Sequence, residues 1–227
     1  MSKRLLNEIH YLTTQFMPKN FTILIFFLLF VIGCSKQRIQ SEHFSPQDSI
    51  RIVSEIAVHR SEADSFFRND PDSPFNKDTT IHYEGIKWFP PDVRYFFRSR
   101  LFRYEHPEQV TILGTKGEER TMVRYGYIII PFEEKEFRLN VYKSLDPSDR
   151  HLAVWFTDET TEKQTYPVGR YVDMDDEQPD PQYLYTINLN NAYNPYCAYS
   201  SLYTCAVPRK EDHLDFSVLA GELKYHP

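Results

Sequence analysis

The chain has 227 residues, 15% of them aromatic, with 26 Lys and Arg against 32 Asp and Glu and a net charge of −6. That balance argues against a nucleic-acid binder, which needs clustered cations to displace phosphate counterions, and against a polybasic membrane-surface patch. The length suits one domain that buries roughly 70% of its unfolded surface, and with only three cysteines the core does not depend on a disulfide framework.

The first feature along the chain is the uncharged run Phe21 to Ile32. As a helix it spans only ~18 Å, too short for a ~30 Å hydrocarbon core. Placed after Lys19 and closed by Gly33-Cys34, it reads as an export signal. Val31-Ile32-Gly33-Cys34 resembles the lipobox of bacterial lipoproteins, in which the cysteine is acylated and becomes the new N-terminus. The expected organisation is therefore a signal peptide over residues 1–33, a polar tether over 34–47 and one globular domain over 48–227. An uncleaved signal anchor is the alternative. Met17 would start a more compact signal than Met1. Removing residues 1–33 takes away Lys3, Arg4, Lys19 and Glu8, so −6 becomes −8 and attachment to the bilayer rests on acylated Cys34. The expected location is a lipid-anchored protein of the cell membrane or outer membrane, facing the periplasm. Ser35 lacks the aspartate associated with inner-membrane retention, which favours the outer membrane.

From Ser49 to Phe67 apolar residues recur near helical spacing, at Ile50, Val53, Ile56, Ala57, Phe66 and Phe67. Asp48 or Ser49 can cap that helix, and Asp70-Pro71 stops it. Strand-like runs follow: Val93 to Tyr104, Gln109 to Leu113, Arg120 to Ile130, Glu136 to Lys143, His151 to Thr157, Tyr183 to Leu189 and Leu214 to Tyr225. Turns at Gly114 to Glu119 and Leu145 to Asp149 separate some of them. The His151 to Thr157 run is apolar at consecutive positions, as in a strand buried on both faces. The pattern predicts a mainly β fold, a single antiparallel β-sandwich or barrel-like domain preceded by an N-terminal helix.

Four groups of residues could carry chemistry. Gly169-Arg170-Tyr171 with Asp158 and Thr160 upstream forms either an anion-binding corner or a buried Arg170–Asp158 pair joining two loops. Asn190 to Pro195, with Tyr193, Asn194, Tyr196 and Tyr199, forms either a stacking wall for a sugar or peptide or an ordered loop whose amides cap backbone groups. Cys197 and Cys205 enclose seven residues; a disulfide is the leading reading, with two free thiols or a thiolate or metal site as alternatives. The acidic run Asp173, Asp175, Asp176, Glu177 and Asp180 lacks the pattern of an EF-hand and reads as a solvated loop. No Gly-x-Ser-x-Gly, His-Glu-x-x-His, phosphate-loop or dinucleotide motif occurs, so no cofactor and no metal are expected.

One ordered series is more specific than its parts. Asp158, Thr160, Thr165-Tyr166, Gly169-Arg170-Tyr171, Asn190, Ala192 to Pro195, Cys197 to Tyr199, Cys205, Pro208, Glu211 and Ala220-Gly221-Glu222 together resemble the domain of unknown function 1684 family. His59-Arg60, Ser73-Pro74 and Gly85 to Phe89 extend the resemblance to roughly residues 50–225. The chain departs from the family pattern at Glu162, where glycine is usual, at Asn188 for aspartate, Ala206 for proline and Asp212 for asparagine. The resemblance implies a fold and a motif set but no activity. The candidate ligand-binding residues are thus Asp158, Thr160, Tyr166, Arg170, Asn190, Tyr193, Asn194 and Glu222. The function expected is an envelope binding or structural module for a small-molecule, glycan or peptide ligand. The alternative is a hydrolase-like periplasmic enzyme acting on an envelope glycan or peptide through Asp158, Arg170, Asn190 and Glu222.

Overall fold

The computed structural model describes residues 44–226. Residues 1–33, Cys34 and most of the expected tether lie outside them, as do Met1 and Met17. The first element is helix α1, Pro46–Asn69. Its N-cap is Ser45, whose hydroxyl accepts the Asp48 N–H at 3.1 Å, and Pro46 occupies the first helical position, where no N–H is required. The cap lies upstream of the expected Asp48 or Ser49 because Ser45-Pro46 combines both start signals. Ile52, Ile56 and Phe67 are the buried residues of α1. Ile50 and Val53, read as inward from their spacing, face solvent, because the helix docks Ile52 and Ile56 against Phe96. A one-turn helix α2, Pro74–Lys77, follows behind the cap Ser73.

Eight strands come next: β1 Phe96–Ser99, β2 Phe102–Leu113, β3 Glu119–Phe132, β4 Lys135–Lys143, β5 Ala153–Asp158, β6 Arg170–Asp173, β7 Tyr185–Asn188 and β8 His213–Leu214. The runs Val93 to Tyr104 and Gln109 to Leu113 regroup as β1 and a long β2 that shifts register against β3 between Arg103 and Glu108. That stretch holds Pro107, which has no N–H for the ladder. β3 and β4 join through Glu133 and Glu134, whose φ values are +45° and +64°.

Strands β2-β3-β4-β5-β6 pair antiparallel in that order, and β8 adds parallel to the end of β5. β1 and β7 form a separate two-stranded antiparallel sheet. β2 and β6, the outer strands of the large sheet's path, do not pair with each other, so the barrel-like alternative is corrected to an open arrangement, and one strand pair is parallel. Leu214 to Tyr225 is a strand only at its first residue. Its backbone groups instead bond four separated positions: Phe89 N to Gly221 O at 3.0 Å, Leu223 N to Lys87 O at 2.9 Å, Lys224 N to Gln164 O at 3.0 Å and Glu222 N to Ala192 O at 2.8 Å.

β5 is buried on both faces, as its run of apolar residues implied. Val154 and Phe156 join the largest hydrophobic cluster with residues of both sheets, including Phe97 and Ile187. Ala153 and Trp155 turn the other way, into a smaller cluster with Tyr142 and Val110. No helix among the described residues is long and apolar enough to cross a membrane.

Candidate functional site

A cleft of about 670 Å³ opens between α1 and the face of the large sheet that carries Trp155. His59, Glu62, Ala63 and Phe66 line one wall; their offsets of three, four and seven residues place them on one helix face. The opposite wall includes Trp155, Tyr171 and Asp173. Alternation along β6 explains the last two: Arg170 and Val172 turn into the core, so Tyr171 and Asp173 turn toward the cleft. Tyr193 is brought alongside by a two-bond backbone bridge to Tyr171, at 2.9 and 3.0 Å, and its hydroxyl donates to Asp173 Oδ1 at 2.9 Å. Trp88 completes the aromatic lining, with the Arg60 guanidinium 4.8 Å from its ring centre.

Glu222 also lines this cleft. Gly221 before it has φ +79°, and a Cβ there would lie 2.5 Å from the Ala192 carbonyl oxygen, so only glycine allows this approach. The Glu222 side chain is buried. Its Oε2 accepts the Asn194 N–H at 2.8 Å and the Tyr199 hydroxyl at 2.5 Å. Burial pushes the carboxyl up to about 7, against those two donors and the charge of Arg170. Across the cleft, burial holds the His59 imidazole below its ordinary value, opposed by Asp173 and Glu62. A carboxyl titrating near neutrality and a neutral imidazole therefore share one aromatic cleft, the kind of pairing that serves hydrogen-bonding recognition or proton transfer.

Behind this lining lies a fully buried knot. Arg170 Nη2 donates to Asp158 Oδ2 at 2.9 Å and to the Val218 carbonyl at 3.0 Å, while Nη1 donates to the Ala220 and Glu222 carbonyls. Asp158 Oδ1 accepts the Thr160 N–H at 2.8 Å, the Thr160 hydroxyl at 2.6 Å and the Val218 N–H at 3.2 Å. Gly169, at φ +111°, brings the chain so close that a Cβ would meet the Phe156 carbonyl at 2.5 Å. Burial works to lower the affinity of Arg170 for its proton, and the Asp158 carboxylate opposes it.

A family model described as Protein of unknown function (DUF1684) matches residues 81–223. The chain belongs to the DUF1684 family. The solution NMR structure of an uncharacterized protein of Haloarcula marismortui is similar to this DUF1684 chain at 27% identity and a TM-score of 0.59, covering 79% of this chain and 97% of that one. No match is found among curated proteins.

The candidate residues of the DUF1684 series fall in four locations. Tyr193 and Glu222 reach the cleft, while Asp158, Thr160 and Arg170 form the buried knot. Asn190 and Asn194 are buried connectors. Asn190 exchanges two 2.8 Å bonds with the Asp92 backbone, and Asn194 Nδ2 donates to the Leu223 carbonyl at 2.8 Å. The half-buried Tyr166 hydroxyl donates to the Cys197 carbonyl at 3.2 Å. His59, Trp88, Trp155 and Asp173 were absent from the expected set. Their signal was available in the continuation of the helical spacing past Ala57 and in the alternation of Arg170 to Asp173. Glu177, read as part of a solvated loop, is instead half-buried and accepts Lys143 Nζ at 2.6 Å and Arg103 Nε at 3.2 Å.

The departures from the DUF1684 pattern have local consequences. Glu162 takes φ +68°, so the turn keeps the left-handed backbone that glycine would favour. Asn188 caps the next turn, accepting the Asn190 N–H at 3.1 Å. Ala206 offers its carbonyl to the Tyr171 hydroxyl at 2.7 Å. Asp212 is buried and accepts three bonds from Asn140 and Tyr142, so it belongs to the scaffold of β4, and burial pushes its carboxyl up. Cys197 and Cys205, the pair expected as a disulfide, lie adjacent as free cysteines, with the Cys197 N–H donating to Cys205 Sγ at 3.2 Å.

Proposed function

We propose that this chain is an exported envelope protein, anchored through acylated Cys34, whose DUF1684 domain binds a small polar ligand, a sugar or short peptide, in the cleft between α1 and the sheet. The observation that carries the binding reading is Glu222: a carboxyl whose Oε2 is fixed by Asn194 and Tyr199 at the wall of an aromatic cleft. A carboxyl fixed in this way at a cleft wall is a preorganised acceptor for a ligand hydroxyl or amide. Trp88, Tyr171 and Tyr193 supply apolar ring surface for the rest of such a ligand. Anchoring is supported by the Gly33-Cys34 step behind an apolar run too short to span the bilayer.

Binding is tested by thermal shift of the full chain in detergent against oligosaccharides and short peptides, since a ligand that binds only the folded state must raise Tm. A shift that disappears in Trp88→Ala and Glu222→Gln is expected. A shift that survives both substitutions, or no shift across the panel, refutes the cleft as the site.

The hydrolase reading draws on one specific observation, the Glu222 carboxyl near 7, which suits a general acid. It places Glu222 and His59 at the chemistry, with Asp158, Arg170 and Asn190 supporting from behind. Under that reading Glu222→Gln abolishes turnover of a bound substrate and leaves its binding in place.

A further inference from the structure

Beside the cleft, the segment Tyr196 to Cys205 brings two thiols together. We propose that Cys197 and Cys205 form a redox-active dithiol whose substrate class is a disulfide, either a small molecule or an exposed bond on a partner protein. This inference is independent of what the cleft binds.

Three observations carry it. First, the two cysteines are adjacent and differ in burial: Cys197 is half-buried, while Cys205 is buried in the cleft wall with its sulfur accepting the Cys197 N–H. That is the order needed for an attacking and a resolving thiol. Second, polar donors surround the outer sulfur. The Tyr166 hydroxyl lies 3.7 Å from Cys197 Sγ, and the thiol of Cys205 and the hydroxyl of Thr115 also favour its thiolate, holding it at about 6. The hydrogen bond with the Cys197 sulfur, and after it burial, push Cys205 the other way, up, so it remains a protonated thiol until called on. Third, hydrogen bonds to the β2–β3 turn hold the segment in place. The Thr115 N–H donates to the Cys205 carbonyl at 3.0 Å, the Cys205 N–H to the Thr115 hydroxyl at 3.2 Å, and the Val207 N–H to the Leu113 carbonyl at 2.8 Å.

The chemistry is thiol–disulfide exchange. The Cys197 thiolate attacks one sulfur of R–S–S–R, forming a mixed disulfide and releasing RS⁻. Cys205 then gives up its proton and attacks the Cys197 sulfur, closing the Cys197–Cys205 bond and releasing the second RS⁻. Both leaving thiolates end as thiols, so one disulfide is reduced and one dithiol oxidised.

The test uses the full chain, reduced and freed of reductant. Iodoacetamide should label Cys197 with a pH midpoint near 6 and leave Cys205 unlabelled until denaturation. Oxidised glutathione should release two glutathione thiols per chain from the wild type. It should release one from Cys205→Ser, which stops as a mixed disulfide on Cys197, and none from Cys197→Ser. Mild dithiol treatment of the folded, oxidised protein should restore both thiols. A labelling midpoint in the ordinary cysteine range of about 8.5 overturns the proposal. So does a wild type that releases no glutathione, or a bond that resists dithiol until unfolding. The wild-type measurements decide the matter even if a serine variant does not fold.

Discussion

Arg170 and Glu222 show how differently two buried charged residues a few ångströms of backbone apart can behave. Arg170 has its guanidinium spread over Asp158 and the Val218, Ala220 and Glu222 carbonyls. Removing it strands Asp158 and three carbonyls without their donor, so Arg170→Ala should lower stability by ~3–5 kcal/mol. Arg170→Lys should also destabilise, because a point ammonium cannot fork onto those acceptors. Denaturant melts measure both, and an unchanged midpoint for Arg170→Ala would contradict the knot. Glu222 works in the opposite sense. Its folded carboxyl sits at about 7, above the ~4.3 of an unfolded glutamate, so the fold prefers it protonated. Its stabilising contribution is complete below about pH 4.3 and is lost as pH rises through about 7, a change on the order of 3 kcal/mol. Glu222→Gln keeps an oxygen for Asn194 and Tyr199 and has no proton to lose. The decline in stability between pH 4.5 and 7.5 should therefore be much flatter in the variant, as measured by urea melts across that range. Equal slopes would remove Glu222 from the account.

At the scale of elements, the β3–β4 hairpin turns through Glu133 and Glu134, both left-handed. A two-residue turn of that kind favours Asn-Gly, and each non-glycine residue there costs roughly 1–2 kcal/mol. The double substitution Glu133→Asn, Glu134→Gly should raise stability by about 1–2 kcal/mol, read as a higher denaturant midpoint with unchanged slope. The same residues explain why this hairpin was hard to read: two like-charged glutamates give no turn signal, whereas Gly117 in the β2–β3 turn does. Elements whose apolar pattern reflects packing on one sheet, such as β3, β4 and β5, were legible to within a few residues. β6 was not, because four residues, Arg170 to Asp173, are too few for a period and begin with a charge. The cleft was legible only in part for the same reason: once β6 is a strand, Arg170 must face the core, as the buried Arg170–Asp158 alternative had it, and Tyr171 and Asp173 must face the cleft. The wall on α1 was obscured by Ile50 and Val53, whose spacing suggested the wrong buried face.

For the whole molecule, the proposed anchor makes a prediction outside the folded domain: cells fed a labelled fatty acid should incorporate it into the wild-type chain and not into Cys34→Ser. Label on the serine variant would exclude acylation at that residue. Within the domain, the stretch from Val218 to Lys224 has a topological consequence. It supplies the carbonyls that receive Arg170, the carboxyl at the cleft, and backbone partners for Lys87, Phe89, Gln164 and Ala192. The bonds to Lys87 and Phe89 span more than a hundred positions of sequence. The chain therefore cannot close its interior until this stretch is in place, and a premature stop codon before Val218 should yield a protein that is degraded rather than one that is merely shortened.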